Sequence, residues 1–183
     1  MVQLPERVDP KSEPAKAGYV TICDIGEERI RRAGRKIKGE SPLTTADLDI
    51  GFRVFRVDTS NMKDVYYRPT EVDQGQMNIF ADNIKKDRTP EDLLFQVMLD
   101  LGVLLSSKIE ETVIAGKKVF SVADGYLIAC FDKDVTDETV KAIAQRHPFY
   151  AIFRDAGMAS DSVMTNFEQI FETYSPRTQR KVL

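Results

Sequence analysis

The chain has 183 residues, one medium domain or a domain with an appendage, and a chain of this size buries roughly 70% of the surface its unfolded form exposes. Its 42% hydrophobic and 30% charged residues are those of an ordinary soluble globular protein, and no apolar run approaches the length of a membrane span. A formal net charge of −3 argues against a protein whose main task is coating nucleic acid, so any such contact must come from a local basic patch.

Val2 to Leu4 reads as the end of a buried strand, and the opening MVQLPERVDPKSE has neither the basic nor the apolar region of a signal peptide. ERVDPKSEPAKAG is rich in Pro, Lys and Glu and reads as a solvated loop. A helix is predicted from about Thr21 to Lys38. Ile22, Ile25, Ile30, Ala33 and Ile37 form its single apolar face, and Gly39, Ser41 and Pro42 end it. Phe52 to Val57 alternates as a strand with Arg53 and Arg56 interspersed, Thr59 to Pro69 is irregular, and a polar helical or loop segment follows to about Ile84.

The next helix carries the clearest signals. Thr89 is its N-cap, Pro90 takes N1, Glu91 and Asp92 favour the positive end of the dipole, and Gly102 is the stop. Leu93, Leu94, Val97, Met98 and Leu101 make its apolar stripe. Strands are predicted at Ile109–Ile114, Lys118–Ala123 and Tyr126–Phe131, joined by two-residue turns at Ala115-Gly116 and Asp124-Gly125. Thr136 caps a helix carrying Val140, Ile143 and Ala144. Pro148 precedes a strand at Phe149–Phe153. A final helix over about Ser162 to Tyr174 turns Phe167, Ile170, Phe171 and Tyr174 inward, and Pro176 stops it. The order after residue 88 is α-βββ-α-β-α, a mixed α/β (α+β) fold with helices packed on a mixed sheet.

Catalytic and metal chemistry find little support in the residue types. Cys23 and Cys130 read as two buried free thiols, which points to the cytoplasm, and with the single His147 they fall short of a structural zinc site. His147, just before Pro148, reads as packing at a helix end rather than as a member of a triad. Asp137 and Glu138 lie in a helix's first turn, where carboxylates offset the dipole. No catalytic residue and no metal ligand is assigned.

Three stretches, MVQLPE, GYVTICDIGEERIRRAGRKIK and GFRVFRVDTSNMKDVYY, resemble the C-terminal part of the modification (Mod) subunits of type III restriction–modification systems. GKKVFSVADGYLIACFDKDVT and TNFEQIFETYSP resemble the ends of those subunits, so the likeness covers nearly the whole chain. The resemblance implies a DNA adenine-N6 methyltransferase as the parent protein, dimeric, assembled with a restriction (Res) subunit and using S-adenosylmethionine. It also implies that residues 1–50 are a remnant of the methyltransferase domain and 51–183 a C-terminal mixed α/β domain.

The parent's catalytic strings are missing. The chain has no Pro-Pro dipeptide, hence no Asp/Asn-Pro-Pro-Tyr motif to hold a flipped base's amine, and no Gly-x-Gly for a cofactor turn. By the resemblance, Gln3, with Glu6 as the alternative, matches a residue that faces the cofactor's ribose in the intact parent. This chain alone is expected to bind no cofactor and to be inactive.

Arg29, Arg31, Arg32, Arg35, Lys36 and Lys38 crowd the predicted first long helix, with Asp24, Glu27 and Glu28 before them. Acids first and bases last is what the dipole favours on any solvated helix. The alternative is a basic stripe for DNA phosphates or an acidic partner. Helical spacing sets Arg31, Arg35 and Lys38 opposite the apolar face, free and solvated, and these three are the candidate contacts. Arg29 and Lys36 border the apolar face and are expected to pair with carboxylates. Arg53 and Arg56 with Tyr66, Tyr67 and Arg68 form a second aromatic–basic cluster, read as a half-buried strand edge rather than a stacking surface. Two functional readings follow: a non-catalytic C-terminal portion of a Mod subunit, or a freestanding interaction module from a truncated gene. Under the first, residues 1–17 are expected to lie loose, lacking their sheet partners.

Overall fold

The computed structural model describes residues 2–63 and 83–183, which fall into two compact units, Met1–Arg56 and Val57–Leu183. The expected polar segment up to Ile84, with Tyr66, Tyr67 and Arg68, lies mostly outside the described residues.

In the first unit, helix α1 (Glu13–Lys16) is one turn inside the stretch read as a loop, capped by Ser12, whose hydroxyl accepts from the Ala15 amide. Helix α2 (Ile22–Glu40) begins at a capping box. Thr21 Oγ1 accepts from the Asp24 amide at 3.3 Å, and the Asp24 carboxylate accepts from the amides of Thr21 (2.8 Å) and Val20 (3.0 Å). Those two amides, Thr21's first, hold the Asp24 carboxyl below its ordinary range. The helix runs through Gly39, where a stop was expected. The Ser41 amide still reaches the Ile37 carbonyl, and Lys36 pairs with Glu40 across the last turn.

Val2 to Leu4 forms no strand, and both Val2 and Leu4 are exposed. The entering chain is held instead at Arg7, bridged to Thr21, and at Glu6, whose carbonyl accepts from the Ile22 amide at 3.0 Å. Phe52 to Arg56 is likewise outside any strand. That segment returns along α2: Thr45 donates to the Lys38 carbonyl, Ile50 lies against Gly34, and Phe52 lies under Arg31. A Cβ on Gly34 would stand 2.9 Å from that of Ile50, so the glycine is what admits the crossing.

The second unit is built on five strands: β1 (Ile109–Ile114), β2 (Lys117–Val122), β3 (Leu127–Cys130), β4 (Tyr150–Phe153) and β5 (Gln179–Val182). They lie in sequence order, β1–β2–β3 antiparallel and β3–β4–β5 parallel. Helix α3 (Pro90–Asp100) precedes the sheet. Helix α4 (Asp137–Ala144) carries the crossover from β3 to β4 and α5 (Asp161–Tyr174) that from β4 to β5, as parallel neighbours require. Both crossover helices cover one face, where Val140, Ile143, Phe167 and Phe171 meet Val119, Ile128, Cys130, Ala151 and Phe153. Helix α3 covers the other, setting Leu93, Leu94, Val97 and Met98 against Phe120, Val122, Leu127, Ala129 and Ile152. The result is a mixed α/β fold of three layers.

Both expected turns form with positive φ at each central residue: Ala115 (47°) and Gly116 (76°), then Asp124 (53°) and Gly125 (90°). Helix α3 has the Thr89–Asp92 capping box. It ends in a Schellman motif, with Val103 donating to Met98 at 2.8 Å and Gly102 to Leu99 at 3.1 Å. Thr136 takes the N-cap position of α4 but its side chain makes no capping bond, leaving the first-turn acids Asp137 and Glu138 to offset the dipole. Strand β5 was not expected. Its QRKV sequence has no apolar run, and it forms because β4 offers it a parallel edge.

Gly157 sits buried in the short 3-10 turn after β4, where its carbonyl accepts from Val135 at 2.8 Å. A Cβ there would fall 2.5 Å from the Asp132 carbonyl oxygen, a backbone atom that cannot swing away. Gly157→Ala is therefore expected to destabilise this unit by about 1–3 kcal/mol, read as a fall of several degrees in Tm. An unchanged melt would show that the Asp132 loop yields freely.

Candidate functional site

Helix α2 answers only part of the expectation placed on it. Its arginines find their carboxylates within the helix. Arg31 bonds Glu27 at 2.8 Å, Arg32 bonds Glu28 at 2.8 Å, and Arg35 reaches the same Glu28 oxygen at 3.0 Å. Arg31 also lies 5.2 Å from the centroid of the Phe52 ring, and Arg32 donates to the Tyr19 hydroxyl at 3.3 Å. The hydrogen bond from Arg32, and then the charge of Arg35, hold the Glu28 carboxyl below its usual range. Arg31 and Arg35 are thus not the free cations expected. The signal was present in the string, since Glu27–Arg31 and Glu28–Arg32 stand at the i,i+4 spacing with the acid first.

Lys38 is half-buried, and among the described residues its ammonium has no hydrogen-bond or ion-pair partner. Lys36 does pair with a carboxylate, Glu40 at 3.6 Å, whereas Arg29 is exposed and pairs with none of the described residues. The side of α2 holding Arg31 and Lys38 is not open water, because the chain from Thr45 to Phe52 runs along it. The apolar stripe carries Ile30 and Ile37 at 41% and 50% exposure, so packing within this unit does not cover them.

Paired arginines remain able to bind anions. The partners are solvated, and an exposed pair contributes at most about 1 kcal/mol. A phosphate can displace Glu27 or Glu28 at small cost and gain a charge-assisted bidentate contact. The helix is a patch of exchangeable cations, whose contacts would position a backbone and carry no sequence information.

Gln3 is exposed, and its carbonyl lies 3.8 Å from Cys23 Sγ. The chain holds no Gly-x-Gly turn that could present a cofactor to it. Arg56 acts electrostatically on Asp24, so it serves the start of α2 rather than a cluster with Tyr66 and Tyr67, which lie outside the described residues. No group of three or more His, Cys, Asp or Glu side chains able to hold a metal occurs among the described residues. In the second unit a shallow groove between α4 and α5 holds Asp137, which accepts from Asn166 Nδ2 at 3.0 Å, and Lys141, which lies over the Tyr174 ring. His147 closes α4 in the left-handed region (φ 51°).

No protein-family model matches the chain. The chain is similar to the type III restriction-modification enzyme EcoP15I Mod subunit of Escherichia coli, with 32% identity over 148 residues. That stretch is 79% of this chain and 20% of the E. coli protein, so the chain is related to a type III Mod subunit and spans about a fifth of its length.

The two thiols, expected to be alike, differ. Cys23 is half-buried, while Cys130 is fully buried in the sheet, where burial pushes its thiol up to about 11. A thiol reagent at pH 8 is expected to label Cys23 alone in the native chain and both cysteines in denaturant. Because an unfolded Cys130 ionises near 9.0, its contribution to stability is complete below that pH and is lost as pH rises towards 11. Cys130→Ala should remove that alkaline slope in urea titrations. Rapid native labelling of Cys130 would sink the assignment.

Proposed function

We propose that this chain is the C-terminal, non-catalytic portion of a type III restriction–modification Mod subunit, a DNA adenine-N6 methyltransferase. The observation that carries the reading is the sequence relationship, which runs through four-fifths of this chain yet reaches only a fifth of the relative. The string itself agrees, for it holds neither a Pro-Pro dipeptide nor a Gly-x-Gly. In this reading S-adenosylmethionine is bound by the parent's other segments, Gln3 faces its ribose only there, and the chain alone carries no cofactor.

Its partners are a second Mod subunit and the restriction (Res) subunit, in the cytoplasm. No helix among the described residues is long and apolar enough to cross a membrane. The exposed Ile30 and Ile37 give α2 a face to bury against another part of that assembly. Arg31, Arg35 and Lys38 supply contacts to the DNA backbone, the first two by exchanging Glu27 and Glu28 for phosphate.

One observation favours a second reading, a freestanding interaction module. The second unit closes its own core, with both sheet faces covered by helices. The two readings part on the source DNA. An open frame continuing upstream through a Gly-rich turn and an Asp-Pro-Pro-Tyr motif supports the first, and a stop codon with a ribosome-binding site supports the second.

Calorimetry of the isolated chain with S-adenosylmethionine is expected to give no binding heat, and a saturable isotherm would overturn the non-catalytic reading. In the Mod–Res complex, replacing Arg31, Arg35 and Lys38 together by Gln is expected to flatten the salt dependence of DNA binding. The log–log slope should fall by about 0.9 for each phosphate no longer neutralised. An unchanged slope would remove α2 from the DNA surface.

A further inference from the structure

At one end of the sheet, three loops bring together a pair of exposed rings and an oriented imidazole that the α2 reading does not use. Tyr126 closes the β2–β3 turn and Phe149 opens β4. Their rings stack with centroids 5.0 Å apart and planes 5° from parallel. They are 43% and 44% exposed, although aromatic side chains of this size ordinarily dominate cores and interfaces. The platform is held rigidly from behind. Tyr126's carbonyl accepts from the amides of both Phe149 and Tyr150 at 2.9 Å, and Phe149's carbonyl accepts from Gln179 at 2.8 Å. The Tyr150 ring meets both rings edge-on.

Two residues before Phe149, His147 holds a left-handed backbone, a conformation a non-glycine residue keeps only when its surroundings impose it. A hydroxyl chain does so. Thr178 donates to the Pro148 carbonyl at 2.6 Å, Ser175 Oγ lies 2.7 Å from Thr178 Oγ1, and His147 Nδ1 lies 3.3 Å from Ser175 Oγ. Thr178 has one proton, and the carbonyl takes it. Ser175 must therefore donate to Thr178, and Ser175's oxygen must accept from His147 Nδ1–H. Both hydroxyl residues are buried, at 5% and 4% exposure, so the chain is not loosened by water. The neutral imidazole is fixed in one tautomer, leaving the Nε2 lone pair as an acceptor on an exposed residue. Arg146 and Arg177, in the same loops, are exposed and have no ion-pair partner among the described residues.

We propose that the stacked pair Tyr126–Phe149, with the tautomer-locked His147 and the cations Arg146 and Arg177, is a binding site for an unpaired nucleobase of a single-stranded nucleic acid. The base stacks on the outer ring, Nε2 accepts from an N–H on its edge, and the arginines take the flanking phosphates. A duplex is a poor ligand for the same surface, since its bases are already stacked on each other and present no free face. The site is independent of α2 and of the relationship to Mod subunits, and its test separates them.

The test is fluorescence anisotropy of a labelled oligothymidylate with the 183-residue chain, beside a duplex of the same length. The single strand should bind and the duplex should bind more weakly. Tyr126→Leu and Phe149→Leu should each weaken single-strand binding by about 5- to 100-fold, the range for one stacked base, with an unchanged melt. Should either variant melt early, the pair Arg146→Gln with Arg177→Gln touches no packing and is expected to weaken binding and flatten its salt dependence. No binding of the single strand would overturn the proposal. So would folded leucine variants that bind like the wild type, or binding abolished only when Arg31, Arg35 and Lys38 are neutralised. A chain that self-associates through the rings while its oligonucleotide affinity ignores them would mark the patch as a contact between copies, and would also overturn it.

Discussion

Strand β3 has no solvent side, and the second unit is organised by that fact. All four of its residues are buried, with Ile128 and Cys130 turned to α4 and α5 and Leu127 and Ala129 turned to α3. A strand buried on both faces needs pairing on both edges and an apolar layer on each side, because unpaired buried backbone groups are costly. Antiparallel β2 and parallel β4 supply the edges. The parallel partner in turn demands a crossover, and the crossover helix becomes part of one covering layer. The interlocked rings of Phe153, Phe167 and Phe171, with centroids 5.1–6.3 Å apart, close that layer. Removing Phe171 would open a cavity that neighbouring β-branched residues cannot fill, a loss of about 3–5 kcal/mol by comparison with other buried aromatics.

How much of this was legible depends on whether the governing interaction is local. Helix α3 was readable from end to end because Thr89, Pro90, Asp92 and Gly102 act on backbone groups within one turn of themselves. The two hairpin turns were readable for the same reason, since Gly116 and Gly125 each sit where φ must be positive. Strand β5 was not, because Gln179–Val182 has no preference of its own strong enough to declare it, and it becomes a strand only against β4. The converse error fell on Phe52 to Arg56, whose alternation suits a strand but which pairs along no ladder and follows α2. Val2 to Leu4 misleads in the same way. Its apolar residues suggest a strand end, but the pairing goes to Arg7.

The same distinction governs the two surfaces. On α2 the excess of cations was plain in the string, but their availability depends on rotamers, and Glu27 and Glu28 claim three of the arginines. An exposed ion pair of that kind is neither a structural anchor nor a free charge. It lies close enough to balance for a stronger anion to take the arginine. The helix therefore keeps its soluble face neutralised until a phosphate arrives, which suits a positioning contact better than a tight one.

The sheet end differs in kind. His147 sits in a strained backbone at a place where the chain must leave α4, pass Pro148 and enter β4 in register with Leu127. A glycine at that position would remove the strain, as Gly102 does after α3. The side chain kept there is bound through Ser175 and Thr178 to the carbonyl of the very next residue, Pro148. The hydroxyls thus tie the entry of β4 to the entry of β5 and set the parallel half of the sheet in register at its open end. The imidazole's fixed proton is a consequence of that tie. A register lock made from backbone groups alone would have left the ring free to rotate, whereas this one leaves a single acceptor pointing away from the core beside two rigid rings.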